Sequence, residues 1–177
     1  TSLKEELQLC DLLLRQAIIH GVFGAPNPRA TDAANEIDRV DRKYAGNELA
    51  ANHLAGLWNR LAKYHGMQLD YRAAIEAFKK SLAHRDGRED AGSVTWIASG
   101  LDALVTNHLA LDEIDQAKAC LAEIEALIPS IREQNDKAQY ALSHEYNLAL
   151  GRGHVAFFEG RMDDARASFS TALQRVE

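Results

Sequence analysis

Small and large apolar residues recur at helical spacing along most of the chain. In "DYRAAIEAFKKSL" (70–82), Ala74 is followed by Phe78 four positions on and by Ser81 three further. "DQAKACLAEI" (115–124) repeats this as Ala117, Leu121 and Ile124, and "DDARASFSTAL" (163–173) as Ala165, Phe169 and Ala172. Steps of four and three place each trio on one face of a helix. "TDAANEIDRV" fits the same template through Ala33, Ile37 and Val40. From Ala33 to Ala74, to Ala117 and to Ala165 the intervals are 41, 43 and 48 residues. A motif recurring at a near-constant period marks an array of stacked repeats.

Each of these helices needs a partner upstream. "LAGLWNRLAKYH" (54–65) carries Leu54, Trp58, Leu61, Ala62 and His65 on one stripe, and "IASGLDALVTNHLAL" (97–111) carries Ile97, Leu101, Leu104, Val105 and His108. "HEYNLALGRGHVAFFEG" (144–160) offers Ala149, Gly153, Ala156 and Phe157, and a first helix over residues 2–23 offers Leu13, Ala17 and Gly21. The predicted unit is therefore helix A, a short turn and helix B. Asp70 and Asp112 are expected to cap helix B, because a carboxylate accepts from free amides at a helix start. Gly160 and "GAPNPRAT" (24–31) supply the turns of the last and first units, and "AGN" (45–47), "DGREDAG" (86–92) and "PSIREQN" (129–135) the connectors between units. The prediction is an all-α chain of eight helices in four antiparallel hairpins, at about 2–44, 48–85, 93–128 and 136–176, forming a single domain.

In this spacing the chain resembles the tetratricopeptide repeat family, whose pattern is W-x2-L-G-x2-Y, then A-x3-F, then a small residue and a proline. One unit has Trp58, Leu61, Ala62, His65, Ala74, Phe78 and Ser81. The next has Leu101, Leu104, Val105, His108, Ala117, Leu121, Ile124 and Pro129, and the last has Gly153, Gly160, Ala165, Phe169 and Ala172. The resemblance covers roughly residues 50–177 and is weaker over 10–44. It implies an α-solenoid, a right-handed superhelix of hairpins. The family period is about 34 residues, so helices or connectors are extended here. Longer repeats of this kind resemble those of large bacterial regulators, including transcription activators and proteins with cyclase output domains. Arg152 falls where a large apolar residue is expected, so either the helix phase slips or Arg152 snorkels.

Composition narrows the function. Apolar residues make up 46% of the 177-residue chain and charged residues 26%, which suits one packed domain rather than a disordered chain. The net charge of −6 and the lack of a basic stripe argue against nucleic acid as partner. No apolar run approaches membrane length. Cys10 and Cys120 lie in apolar helical settings without metal-ligand spacing, which fits a reducing, cytoplasmic location. Thr1 in place of Met suggests a piece of a longer protein.

Little in the chain argues for catalysis. His65 and His108 share one repeat position, but no third ligand is in phase, so packed rings are expected rather than a metal site. "GRG" (151–153) is similar to a phosphate loop, yet it lies inside a helical pattern, where close helix packing explains it. "HRD" (84–86) lacks every companion motif of a kinase. The seven histidines form no nucleophile–base–orienter set at any readable spacing, so neither enzyme activity nor cofactor is expected.

What remains is surface. In a stacked array the A helices line a concave groove. Projected onto that face, they present Asn52, Asn59 and Lys63, then Thr95, Asp102 and Thr106, then Ser143, Asn147, His154 and Phe158. Such a stripe suits hydrogen bonding to a peptide backbone. The chain stops at "LQRVE" without a polar capping helix, which would leave Phe157 or Phe158 and Leu173 on an open terminal face. The first expectation is thus a non-catalytic interaction module that binds a peptide or protein segment on its concave face. The alternative is a sensory, regulatory or dimerisation region of a larger bacterial signalling protein or transcription regulator, self-associating through that terminal hairpin.

Overall fold

The computed structural model of the chain describes residues 2–21, 27–86, 91–133 and 138–175. Every regular element among them is an α-helix. They are α1 (Leu3–His20), α2 (Pro28–Lys43), α3 (Glu48–Met67), α4 (Tyr71–Ala83), α5 (Ala91–Ala110), α6 (Ile114–Glu133), α7 (Ala138–Phe158) and α8 (Met162–Leu173). Chain neighbours pair: α1 with α2, α3 with α4, α5 with α6 and α7 with α8. The chain divides into two compact units, Thr1–Asp86 and Gly87–Glu177. In unit 1 both helices of the leading hairpin also contact α3, and in unit 2 α5 and α6 both contact α7. Each unit thus obeys one packing rule, in which the A helix of the second hairpin seats on both helices of the first.

Helix starts follow from local chemistry. Ser2 and Glu5 form a reciprocal capping box before α1. Asn27 accepts from the Arg29 amide, with Pro28 in the first turn of α2, and Asn47 accepts from the Ala50 amide at α3. Asp70 accepts from the Ala73 amide, as expected. Asp112 does not take the equivalent place. It lies one residue earlier, in the turn, with a left-handed φ of 60°, and Glu113 directly precedes α6.

The A-to-B turns explain that offset. Leu69, Asp112 and Gly160 all have positive φ, at 63°, 60° and 75°. The amide after each donates five residues back: Asp70 to His65 at 3.0 Å, Glu113 to His108 at 2.9 Å, and Arg161 to Ala156 at 2.8 Å. The left-handed residue itself donates three residues back, to Gly66, Leu109 and Phe157. This double bond pattern is a Schellman motif, which satisfies carbonyls at a helix end. Three hairpins therefore turn in the same way with three different residues at the bend. The turn of the first hairpin, like residues 87–90 and 134–135 of the expected connectors, lies outside the described residues.

The template alanines and their companions pack as expected. Ala33, Ile37, Val40, Ala74 and Ala117 are fully buried, and Phe78, Leu121, Ile124, Ala165 and Ala172 are buried too. Ser81 fits this apolar face because its hydroxyl donates to the Ala55 carbonyl at 2.8 Å. The A helices are long, with 20 residues each in α3 and α5 and 21 in α7, which accounts for much of the long period. In the interval from Ala117 to Ala165, α6 adds further length. The expected connector at Pro129 is instead helical, and α6 runs on to Glu133. A proline inside a helix gives up one backbone bond. Here the extra turn is held by buried Ile128 and Ile131, the latter in a cluster with Val94, Ala98 and Ala141.

The phase of α7 is also resolved. Arg152 points outward and pairs with Glu125 at 2.5 Å. Its neighbours face inward: a Cβ on Gly151 would come within 2.7 Å of Leu121, and one on Gly153 within 2.4 Å of the Phe169 ring. The glycines are there for close approach of α7 to α6 and α8.

Candidate functional site

The stripe read from the sequence separates into a part that forms a site and a part that does not. In unit 2, Asp102 and Thr106 of α5 face Asn147 and His154 of α7 across a cleft of about 280 Å³. Val105, Leu109, Leu121 and Leu150 make its apolar walls. Thr95, Ser143 and Phe158 do not line it. In unit 1, Asn52 and Lys63 are exposed, but Asn59 is buried, at 8% exposure, and so leaves the predicted stripe. The reason is that α3 packs on α1, α2 and α4 together, so little of its circumference stays open.

Asp102 anchors the cleft of unit 2. Its Oδ2 accepts from the Asn147 amide at 2.9 Å and is bonded to His144 Nδ1, also at 2.9 Å. An ionised carboxylate only accepts, so Nδ1 carries the proton in this pair. His144 is buried at 4% exposure and holds the carboxylate from behind. Both bonds reach one oxygen; among the described residues Oδ1 takes none. Thr106 Oγ1 donates to the Asp102 carbonyl at 3.3 Å, which ties its hydroxyl to its own helix. At the other side the His154 ring stacks edge-on against Phe169, with centroids 5.3 Å apart. A fixed carboxylate oxygen, an amide and an imidazole on apolar walls can recognise hydrogen-bond donors.

A second groove was not legible as a stripe. Between α1 and α3 in unit 1, Leu3, Leu7, Leu49 and Leu57 surround a cavity of about 540 Å³, with Lys4, Gln8, Asp11, His53 and Arg60 around them. Asp11 binds Arg60 at 2.5 Å and Arg15 at 2.6 Å. Burial works to raise the Asp11 pKa, but the hydrogen bonds from Arg15 and Arg60 prevail and hold it below the usual carboxylate value. The signal available in the sequence is Leu49 and Leu57, eight residues apart on a side of α3 roughly a quarter turn from Asn52, Asn59 and Lys63.

Several further clusters lie outside these two sites. His65 and His108 sit at equivalent turn positions and each faces the acid five residues on, Asp70 at 3.8 Å and Glu113 at 2.7 Å. Burial lowers the His65 pKa, against the opposing pull of Asp70. Among the described residues no group of three or more His, Cys, Asp or Glu side chains could hold a metal ion. Cys10 and Cys120 are both buried, and burial pushes the Cys10 thiol up to about 11, with Glu36 adding to the effect. A further cavity of about 480 Å³ among α6, α7 and α8 is rimmed by charges that pair with one another, including Arg152 with Glu125 and Arg161 with Asp164. On the terminal hairpin Phe157, Phe158, Met162 and Leu173 are all half or more exposed, and the two phenylalanine rings meet edge to face. Among the described residues no helix is long and apolar enough to cross a membrane. Comparison of the chain with family models, with curated proteins and with solved structures finds no match.

Proposed function

We propose that the chain is a non-catalytic, tetratricopeptide-like interaction module that binds a peptide or protein segment in the cleft between α5 and α7. The observation that carries this reading is the held carboxylate of Asp102, with one oxygen occupied by Asn147 and His144 and the other available to a donor. Extended segments supply backbone amides and side-chain donors at the spacing of such a cleft, and the leucine and valine walls accept an apolar side chain beside them. Nucleic acid is not the expected partner, given the net charge of −6. The two buried thiols fit a cytoplasmic setting.

A peptide library selected against the whole chain tests this reading. Thr106 is exposed on the cleft, so Thr106→Arg should fill it without touching the core. Selected peptides are expected to bind the variant at least tenfold more weakly by fluorescence polarisation. Equal binding to both proteins would remove the cleft from the function.

A second reading has its own support. Phe157, Phe158 and Met162 stand exposed at the turn of the last hairpin and Leu173 at the far end of α8, and exposed apolar side chains of this kind can mark an interface. In this reading the module self-associates through that hairpin and serves as the regulatory region of a larger bacterial signalling protein or transcription regulator.

A further inference from the structure

The cleft between α5 and α7 also selects among side chains, an inference that deepens the peptide reading and rests on it. Asp102 is the one carboxylate on its lining, and no lysine or arginine lines it. Arg152, on the same helix as Asn147, turns outward to Glu125. His144 and Asn147 both engage Asp102 through Oδ2. Oδ1 accepts no bond from the described residues and is not enclosed, so it is open to an incoming group. The polar atoms beside it accept as well. Thr106, one turn along α5, directs its hydroxyl proton to the Asp102 backbone carbonyl, which leaves lone pairs on Oγ1. Asn147 directs an N–H to Oδ2, and its side-chain carbonyl meets no donor among the described residues.

An open carboxylate oxygen among acceptors calls for a cation rich in donors. A lysine ammonium has three donors and no acceptor. Arginine fits less well, because its planar fork binds best across both oxygens of a carboxylate, and here Oδ2 is already taken twice. Val105 and Leu150 lie three residues beyond Asp102 and Asn147, about 4.5 Å along their helices, a distance that a four-carbon stem covers. At about 280 Å³ the cleft falls below the usual range of small-molecule sites and suits one side chain. The charge of the unit agrees. Gly87–Glu177 carries 8 Lys and Arg against 15 Asp and Glu, a net −7, whereas Thr1–Asp86 carries 12 against 11, a net +1. The unit that holds the cleft is therefore the one whose field draws in a basic segment. We propose that the cleft takes the side chain of a lysine from a basic segment of a partner protein, with the ammonium on Asp102 Oδ1 and the stem along Val105 and Leu150.

Peptides selected against the whole chain, and rejected at least tenfold by Thr106→Arg, are the probes. Each is expected to contain a lysine whose replacement by norleucine, a side chain of similar length without the charge, weakens binding at least tenfold. Fluorescence polarisation at about pH 8, where histidine side chains are ordinarily neutral, reads the loss. Arginine in place of that lysine should also bind more weakly. Asp102→Asn should weaken the lysine peptide at least tenfold and leave the norleucine peptide nearly unchanged. The replacements made in the peptide cannot unfold the protein, so they stand even if Asp102→Asn disturbs the fold. Cleft-dependent peptides that lack lysine, tolerate norleucine or prefer arginine would overturn the lysine assignment and leave the peptide reading in place. A selection that yields no cleft-dependent peptide would remove both.

Discussion

Gly153 and Phe169 are in direct contact: a methyl group on Gly153 would lie 2.4 Å from the Phe169 ring. That distance is well inside van der Waals separation, so any side chain there must displace the ring or part α7 from α8. Gly153→Ala is expected to destabilise the protein by about 1–3 kcal/mol through overpacking. Gly56 is the control, since it is helical too but has open space around its Cβ position. Gly56→Ala should stabilise by about 0.5–1 kcal/mol through the lost flexibility of glycine in the unfolded chain. Urea denaturation of the two variants checks both signs at once, and a Gly153→Ala protein as stable as wild type would refute the close-contact account of the "GRG" segment.

Leu69 adopts a left-handed backbone at φ 63° with its side chain 53% exposed. A branched L-residue there carries a steric cost of about 1–2 kcal/mol, and little packing offsets it. Leu69→Gly should therefore raise stability by roughly 0.5–1 kcal/mol once the added freedom of the unfolded chain is subtracted. The reciprocal change, Gly160→Ala at φ 75°, should lower the melting temperature. If both substitutions moved stability in the same direction, backbone strain would not be the controlling factor.

His65 makes the stability depend on pH. Burial lowers its folded-state pKa below 6.5, with Asp70 opposing. Above about pH 6.5 the imidazole is neutral in both states. As the pH falls through that value the unfolded chain takes up a proton first, so folding loses stability until the folded pKa is passed. Urea midpoints measured from pH 7.5 downward should show this decline, and His65→Gln should flatten it. A variant with the wild-type slope would place the proton uptake on another group.

The exposed terminal surface predicts how the chain associates. If Phe157, Phe158 and Leu173 cover one another in a second copy, light scattering should report a dimer that Phe158→Glu or Leu173→Glu shifts toward monomer. Both residues are at least half exposed, so the substitutions should leave the helical circular dichroism unchanged. A dimer insensitive to both changes would have its contact elsewhere.

The alanine template revealed the hairpins because its small and large apolar residues lie on packed faces, all buried from Ala33 to Ala172 except half-buried Phe169. The A helices resisted the same treatment. The sequence places Asn59 in the groove because it is polar and in phase with Asp102, yet α3 contacts three helices and encloses it. Its equivalent, Asp102, stays in an open cleft because α7 brings His144 and Asn147 to it, a relation between residues 42 and 45 positions apart that periodicity does not encode. Pro129 misled for a similar reason: its local preference ends a helix, but buried Ile128 and Ile131 prolong it.

The shared turn at Leu69, Asp112 and Gly160 has a consequence for how such a chain can change. The bend is specified by backbone hydrogen bonds, so its geometry persists under different letters, at a steric cost that only glycine escapes. Insertions accumulate at the other end of the hairpin, where α6 has 20 residues against 13 in α4. Residues 65–70 and 108–113 are in this sense exchangeable joints. A chimera that swaps them should keep its hairpins, and an evolving array can lengthen its arms without redesigning its elbows.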